Sequence, residues 1–414
     1  MNSLVTDTLR NVCSLVTDGT HDTPKSVMNG FPLVKAKDIA QGRIDFNTCQ
    51  KISLEDHRKV IARSKPEKGD TLFVNIGASL GAAVYVNSTE EFSIKNVALF
   101  KPNPQRIVAR YLYYLVVSPQ FQAEITSRCS GAAQPFLGLD TLRTHQISYH
   151  QDKRTQRRIA AILSAYDDLI ENNTRRIQIL EEMARLIYEE WFVRFCFPGH
   201  ENVSMVEGEL GLIPGGWSVT TLDTVATINS LSVRRGNEPT HILYVDIASV
   251  SIGKIDNVQE ISFIEAPGRA RRIVKHGDII WSNVRPNRKS FALITNPPQN
   301  MIVSTGFTVI SASSVPYSFL YHALTTEDFT SYLTNRAKGA AYPAVGSEDF
   351  ANAKIIIPSS ELLSTFDEMA EPMQKEKNFL LEKNVVLNRT RDLLLPKLIS
   401  GEIDVSNFDE PLSH

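Results

Sequence analysis

The feature that most constrains this chain is an internal repeat, because a segment that recurs in order must be a unit that folds and buries its own core. Gly131-Ala132-Ala133-Gln134-Pro135-Phe136 returns as Gly339-Ala340-Ala341-Tyr342-Pro343-Ala344, displaced by 208 positions. Lys68-Gly69-Asp70-Thr71-Leu72-Phe73 and His276-Gly277-Asp278-Ile279-Ile280-Trp281 share that displacement, as do Asn75 and Asn283 and the stretches 111–115 and 319–323. In both copies a Gly-Asp turn feeds a strand of alternating apolar residues, and the later stretch opens a helix that runs down to the Gly-Ala-Ala segment. Two α/β modules with one order of elements are expected.

A different period follows each module. Ile159, Ile162, Tyr166, Leu169, Asn173, Leu180, Met183 and Ile187 fall on steps of three and four, with a skipped position at Arg176. Phe366, Met369, Met373, Leu380, Leu387, Leu394 and Leu398 occupy the same register displaced by 207, with Glu376, Lys383 and Thr390 as polar gaps. That is a coiled-coil seam. An apolar stripe of ordinary length packs on its own domain, but about 38 residues at about 1.5 Å each make a rod of about 57 Å, longer than a small domain is wide. Each helix needs a partner along its length, and the other helix is the obvious one. Asn173 and Arg176 either fix register or orientation in the seam, or are water-exposed gaps.

Phe197-Pro198-Gly199 ends the first helix, and Ile213-Pro214-Gly215-Gly216-Trp217 opens the second module. The expected fold is therefore α/β with a pseudo-twofold repeat: a module at 1–150, a helix and linker at 151–207, a module at 208–357, and a helix and tail at 358–414.

With 414 residues, 42% of them hydrophobic, the chain can bury more than one core. Its formal net charge of −2 advertises no global attraction to a polyanion, so any DNA-binding surface must be local. Cys13, Cys49, Cys129 and Cys196 form no CxxC pair and adjoin no histidine cluster, which favours reduced thiols over disulfides or a zinc site. Asp7 and Arg10 interrupt the amino terminus, leaving no apolar core of signal-peptide length, and no apolar stretch spans a membrane. The expected address is the cytoplasm, with no membrane partner.

The strongest local charge lies between Arg269 and Lys289, where Arg269, Arg271, Arg272, Lys275, Arg285, Arg288 and Lys289 face the single acid Asp278. A charge run is more often a solvated face than a site. Here Arg285-Pro286-Asn287-Arg288-Lys289 falls where the Gly-Asp strand should end in a loop, and loops on rigid scaffolds carry recognition. Arg and Asn can make paired hydrogen bonds to guanine and adenine edges. DNA contact is accordingly assigned to Arg271, Arg272, Asn283, Arg285, Asn287, Arg288 and Lys289. The matching loop, Asn75-Ile76-Gly77-Ala78-Ser79-Leu80-Gly81, is glycine-rich and uncharged, with Asn75 and Ser79 as its candidates. Two readers with different loops would read different half-sites. Upstream, Lys51, Arg58, Lys59, Arg63, Lys65 and Lys68 are diluted by Glu55, Asp56 and Glu67, and both phosphate contact and a solvated surface fit them.

Catalytic signatures are weak. Asn296-Pro297-Pro298-Gln299 approaches the motif with which adenine methyltransferases hold a flipped base, but lacks its aromatic residue and any upstream cofactor-binding turn. A proline turn between strands is the better reading. No HExxH pair, GxSxG elbow or Walker loop occurs. The residues favour a binding module with neither catalytic nor metal-ligating residues.

These features together resemble the specificity subunits of type I restriction–modification systems. The resemblance covers nearly the whole chain and rests on GAAQPFLG and GAAYPAVG, on DGTHDTPK near the start, on IYEEWFVRF ending the first helix, and on LLLPKLISGEIDV ending the second. It implies two target recognition domains, each reading half of a split asymmetric site in double-stranded DNA, separated by two helices packed as an antiparallel coiled coil that sets the spacer. It also implies two methylation subunits, which hold S-adenosylmethionine, and further restriction subunits; this chain would hold no cofactor. Positions carried over are His21, Thr23 and Pro24, with Gln134 and Tyr342 of the duplicated segment, which either contact a base or shape the loop.

Overall fold

The computed structural model describes residues 4–39, 42–129 and 135–408. Gln134 lies outside them. The chain divides into two compact units, Met1–Asn173 with Lys383–His414, and Thr174–Glu382.

In the first unit Cys13–Asp18, Ala98–Pro102, Thr71–Phe73 and Ala83–Tyr85 form an antiparallel sheet in that order. A second sheet centres on Phe31–Lys35, antiparallel to Gln50–Ile52 and parallel to Ser93–Lys95. Leu4–Thr8 pairs with Gln146–His150. The second unit repeats this plan. Ala226–Ile228, Phe307–Ala312, Ile279–Ser282 and Phe291–Leu293 form the four-stranded sheet, and His241–Val245 lies between Gln259–Ser262 and Met301–Ser304 with the same directions. Ser218–Thr221 pairs with Lys354–Ile357.

The Gly-Asp turns explain why these strands start where they do. Gly69 and Gly277 take positive φ, +101° and +84°, which costs glycine little. Asp70 then accepts the amide of Glu67, and Asp278 that of Lys275, each at 2.7 Å. The strand that follows is buried on both faces. Phe73 and Ala98 join one core while Leu72, Val74 and Leu99 join another; Ile279 and Trp281 are likewise separated from Ile280 and Val309. The modules diverge in their additions: the first has a helix, Leu54–Ser64, and the second an added strand, Ala270–Ile273, beside Met301–Ser304, and a short hairpin of Val250–Ser251 with Lys254–Ile255.

Two long helices, Lys153–Tyr188 and Ser360–Ile399, follow the modules. Within the first unit they run antiparallel, with Arg391 on Asp167 at 2.7 Å and Asn173 Nδ2 donating to Asn384 Oδ1 at 2.8 Å. Within the second they do so again, with Lys377 on Glu181 at 2.7 Å and the Phe366 ring 6.1 Å from that of Tyr188; Arg176 also meets Glu376 at 2.7 Å.

Burial corrects the expected seam at every second step. Along the first helix Ile159, Leu163, Asn173, Ile177 and Ala184 are buried, whereas Leu169 and Met183 are 39% and 44% exposed and Ile162 is half-exposed. Along the second, Leu363, Phe366, Ala370, Lys377 and Leu380 are buried, Met369 is half-exposed, and Glu376 and Lys383 point outward. Steps of three and four can be taken in either order, and the wrong order moves alternate positions by one residue. Ile162, Leu169 and Met183 satisfied the wrong order. The true positions hold Ala184, Lys377, Asn384 and Arg391, which do not read as apolar.

Candidate nucleic-acid interface

The repeated segments, distant in sequence, fold against each other. In the first unit Gly77 donates its amide to the Pro135 carbonyl at 3.0 Å, Leu137 to Asn75 O at 2.8 Å, and Ile76 bridges Phe136. In the second, Arg285 donates to the Pro343 carbonyl at 2.7 Å, Val345 to Asn283 O at 2.9 Å, and Val284 bridges Ala344. Each contact recurs at the displacement of 208. The loop after the Gly-Asp strand and the proline end of the Gly-Ala-Ala segment are therefore one structure, built twice.

Their left-handed positions also coincide. Gly77 and Gly81 have φ of +93° and +94°, and their counterparts Arg285 and Lys289 have +52° and +54°. In the second loop Pro286–Arg288 form a short helical turn between the two strained residues. Arg285 lies 4.8 Å over the ring of Tyr342 and donates from Nη2 to Ala341 O at 3.1 Å. Lys289 pairs with Glu327. Asn287 and Arg288 are exposed, and their side chains have no hydrogen bond or ion pair among the described residues. Tyr342 is 71% exposed.

Three of the expected contact residues are tied into the fold. Asn75 is only 8% exposed and spends its amide on Leu137 O at 3.1 Å. Asn283 accepts from Thr308 Oγ1 at 2.7 Å. Both fix the loop base, which is why the repeat keeps asparagine there. Arg272 is half-buried, donates to Ser232 Oγ at 3.1 Å, and has a buried Nε without a partner; burial lowers its pKa. Arg271 rests on Phe263, 4.9 Å from the ring centre, and on Ala270 O at 2.8 Å. Ser79 is half-exposed in the first loop.

The stretch around His21 is held along the strand Ser93–Lys95. Gly19 is obligatory there, since a Cβ would sit 2.1 Å from Ile94 O. His21 hydrogen-bonds Asn96 Oδ1 through Nδ1 at 2.9 Å and faces Asp18 through Nε2 at 3.1 Å. Thr23 accepts from Lys95, and the Pro24 carbonyl accepts from Gln50 Nε2 at 2.9 Å. His21 and Thr23 remain exposed. The sequence reading missed Lys95 and Asn96, which carry this stretch, and missed Arg128 and Arg336. These arginines are exposed beside the two Gly-Ala-Ala segments, and their shared displacement of 208 was the available signal.

Asn296-Pro297-Pro298-Gln299 turns the chain between Phe291–Leu293 and Met301–Ser304, with Met301 donating to Pro298 O at 3.0 Å. Among the described residues no three His, Cys, Asp or Glu side chains gather as metal ligands, and no helix is long and apolar enough to cross a membrane.

Residues 20–182 match the family described as the type I restriction modification DNA specificity domain. Over those residues the chain is similar to the type I specificity family, and the relatives it matches are specificity subunits. It is 27% identical over 314 residues to the specificity subunit of the type I restriction enzyme MjaIX of Methanocaldococcus jannaschii, covering 73% of this chain and 71% of that one. To the HindI specificity subunit of Haemophilus influenzae it is 24% identical over 410 residues, covering 83% and 88%. Its fold matches the crystal structure of the type I restriction–modification S subunit from M. genitalium, with a TM-score of 0.60 at 15% identity over 96% of each chain. The twin loops thus belong to a fold shared along the chain's length with that structure, at identities too low to transfer any single loop residue.

Proposed function

We propose that this chain is the non-catalytic DNA-reading subunit of a type I restriction–modification enzyme, and that its two α/β modules, each a target recognition domain, read the two halves of a split asymmetric site. The observation that carries this reading is the doubled loop: one set of backbone tethers supports glycines at the left-handed positions in the first module and Arg285 and Lys289 in the second. Sameness of frame with difference of side chain is what two readers of unlike half-sites need. Asn287 and Arg288, exposed on the rigid turn, are suited to adenine and guanine edges in the major groove. In the first module, where Ser79 and Leu80 take those places, the exposed polar groups His21 and Thr23 of a different loop serve the same purpose.

The long helices form an antiparallel coiled coil that sets the spacer between half-sites. They also supply a docking face. Ile179, Met183 and Leu186 are exposed at steps of four and three on the first helix, and Val385, Val386 and Leu393 are exposed on the second. Exposed apolar stripes of this kind mark partner surfaces. Two methylation subunits, which hold S-adenosylmethionine and perform the adenine chemistry, dock there, and restriction subunits join through them in the cytoplasm.

The test is to co-express the chain with its methylation subunits, map the methylated adenines, and measure binding to that sequence. One bipartite motif, bound with an affinity that falls steeply with salt, supports the reading. Equal affinity for all duplexes, or S-adenosylmethionine bound by the isolated chain, overturns it.

A further inference from the structure

The two units use different residues to build the corner where a module helix, Ala109–Val117 in the first and Tyr317–Ala323 in the second, meets the long helices. In the first unit the Arg110 guanidinium lies 4.6 Å over the Tyr85 ring and 3.5 Å from Asp168. Tyr114 donates its hydroxyl to Asp167 at 2.5 Å, and Arg391 meets the other oxygen of Asp167 at 2.7 Å. Two guanidinium groups and two phenol rings fill that corner.

In the second unit the displacement of 208 puts Ser318, Leu293 and His322 at the places of Arg110, Tyr85 and Tyr114. The displacement of 207 that relates the long helices puts Gln374 at the place of Asp167, and relates Ala184 to Arg391. The two guanidinium groups and two phenol rings are each replaced by a smaller side chain, while Asp167 gives way to the slightly larger Gln374. The result is a cavity of about 250 Å³.

Its wall is flat and mostly apolar: Phe291, Tyr317, Tyr321 and His322 supply rings, and Leu180 and Met373 supply aliphatic surface. The charged and hydroxyl groups at its edge are already committed, Lys377 to Glu181 at 2.7 Å and Ser318 to Asp367 at 2.5 Å. Tyr317, Tyr321 and His322 are not; their side chains have no hydrogen bond or ion pair among the described residues. Burial, with Lys377 and Arg185 nearby, holds the His322 pKa down to about 4, so its ring is neutral at neutral pH and offers one donor and one acceptor. A charged guest would be desolvated here without a free counter-ion.

We infer that this cavity is a binding site for a small neutral heteroaromatic molecule of one or two fused rings, stacked on the aromatic wall and hydrogen-bonded to His322 and Tyr321. Its size suits that class, because an apolar cavity of about 150 Å³ already accepts benzene.

Titrating the full chain with indole by calorimetry tests the site. One saturable event with a dissociation constant below about 1 mM is expected for nine non-hydrogen atoms. Ser318→Arg and Leu293→Tyr, which restore the residues of the first unit, should each weaken it at least tenfold while circular dichroism and the melting temperature stay unchanged; if Ser318→Arg does not fold, Leu293→Tyr decides. His322→Phe should remove the preference for indole over indene. No saturation up to the solubility limit, or unaltered affinity in the folded cavity-filling variant, overturns the assignment.

Discussion

Gly77 and Arg285 stand at the same left-handed position of two loops, each donating its amide to the proline carbonyl of its own repeat segment, Pro135 at 3.0 Å and Pro343 at 2.7 Å. A left-handed backbone costs a non-glycine residue about 1–2 kcal/mol. The second loop bears that cost twice, at Arg285 and Lys289, while the first avoids it with Gly77 and Gly81. Strain kept where glycine would relieve it points to side chains that are needed.

Arg285→Gly should separate stability from recognition. The substitution relieves about 1 kcal/mol of strain and removes a stack on Tyr342 and a hydrogen bond to Ala341 of similar total worth. The melting temperature should therefore move by no more than about 2–4 °C, while affinity for the methylated motif should fall at least tenfold. Parallel loss of both would make Arg285 a structural residue, and loss of neither would remove it from recognition.

Arg288→Ala and Asn287→Ala should act differently from a phosphate contact. Loss of a paired contact to a base edge costs about 1–3 kcal/mol and relaxes preference at one base pair. Measured across a set of single-base variants of the site, each substitution should flatten one position and spare the others. Uniform weakening across all sequences, with a shallower salt dependence, would move these residues to the DNA backbone.

The repeat, the Gly-Asp turns and the two long helices were legible in the sequence because glycine, aspartate and apolar period act locally. The structural roles of Asn75 and Asn283 were not, because their partners, Leu137 and Thr308, lie 62 and 25 residues away and become neighbours only through the sheet. Arg272 misled for the same reason: its charge is visible in the sequence, and the serine that holds it, Ser232, is not. The seam was legible in period and illegible in phase, since Asn384, Lys377 and Arg391 become good seam residues only when Asn173, Glu181 and Asp167 stand opposite.

The Asn173 and Asn384 pair should hold register at a cost in stability. Asn384→Leu leaves the buried amide of Asn173 without its partner and should destabilise by about 1–3 kcal/mol. The double change to leucine should recover that loss or exceed it, because an apolar layer packs without desolvating amides, but should let the helices shift against each other. Denaturant unfolding reads the first effect. Distances between spin labels on exposed helix positions read the second, as a broadened distribution; a distribution as narrow as that of the unaltered chain would remove the register role.

His322 should make the chain sensitive to mild acid. Its ring is enclosed by Tyr188, Tyr321 and Phe366, and burial holds its pKa at about 4 against an ordinary value of 6.5. Between those values the unfolded chain binds a proton that the folded chain refuses, so stability is fully present above about pH 6.5 and is lost as pH falls toward 4. The shift corresponds to a loss on the order of 3 kcal/mol across that window. His322→Phe keeps the ring and removes the proton site, so its stability should vary less over the same interval. Other titrating groups, among them the buried Asp278 whose pKa burial raises, are present in both proteins; the difference between the two unfolding curves at each pH isolates the histidine. A difference that stays constant from pH 7 to pH 4 would mean that His322 takes its proton as readily in the folded chain as in the unfolded one.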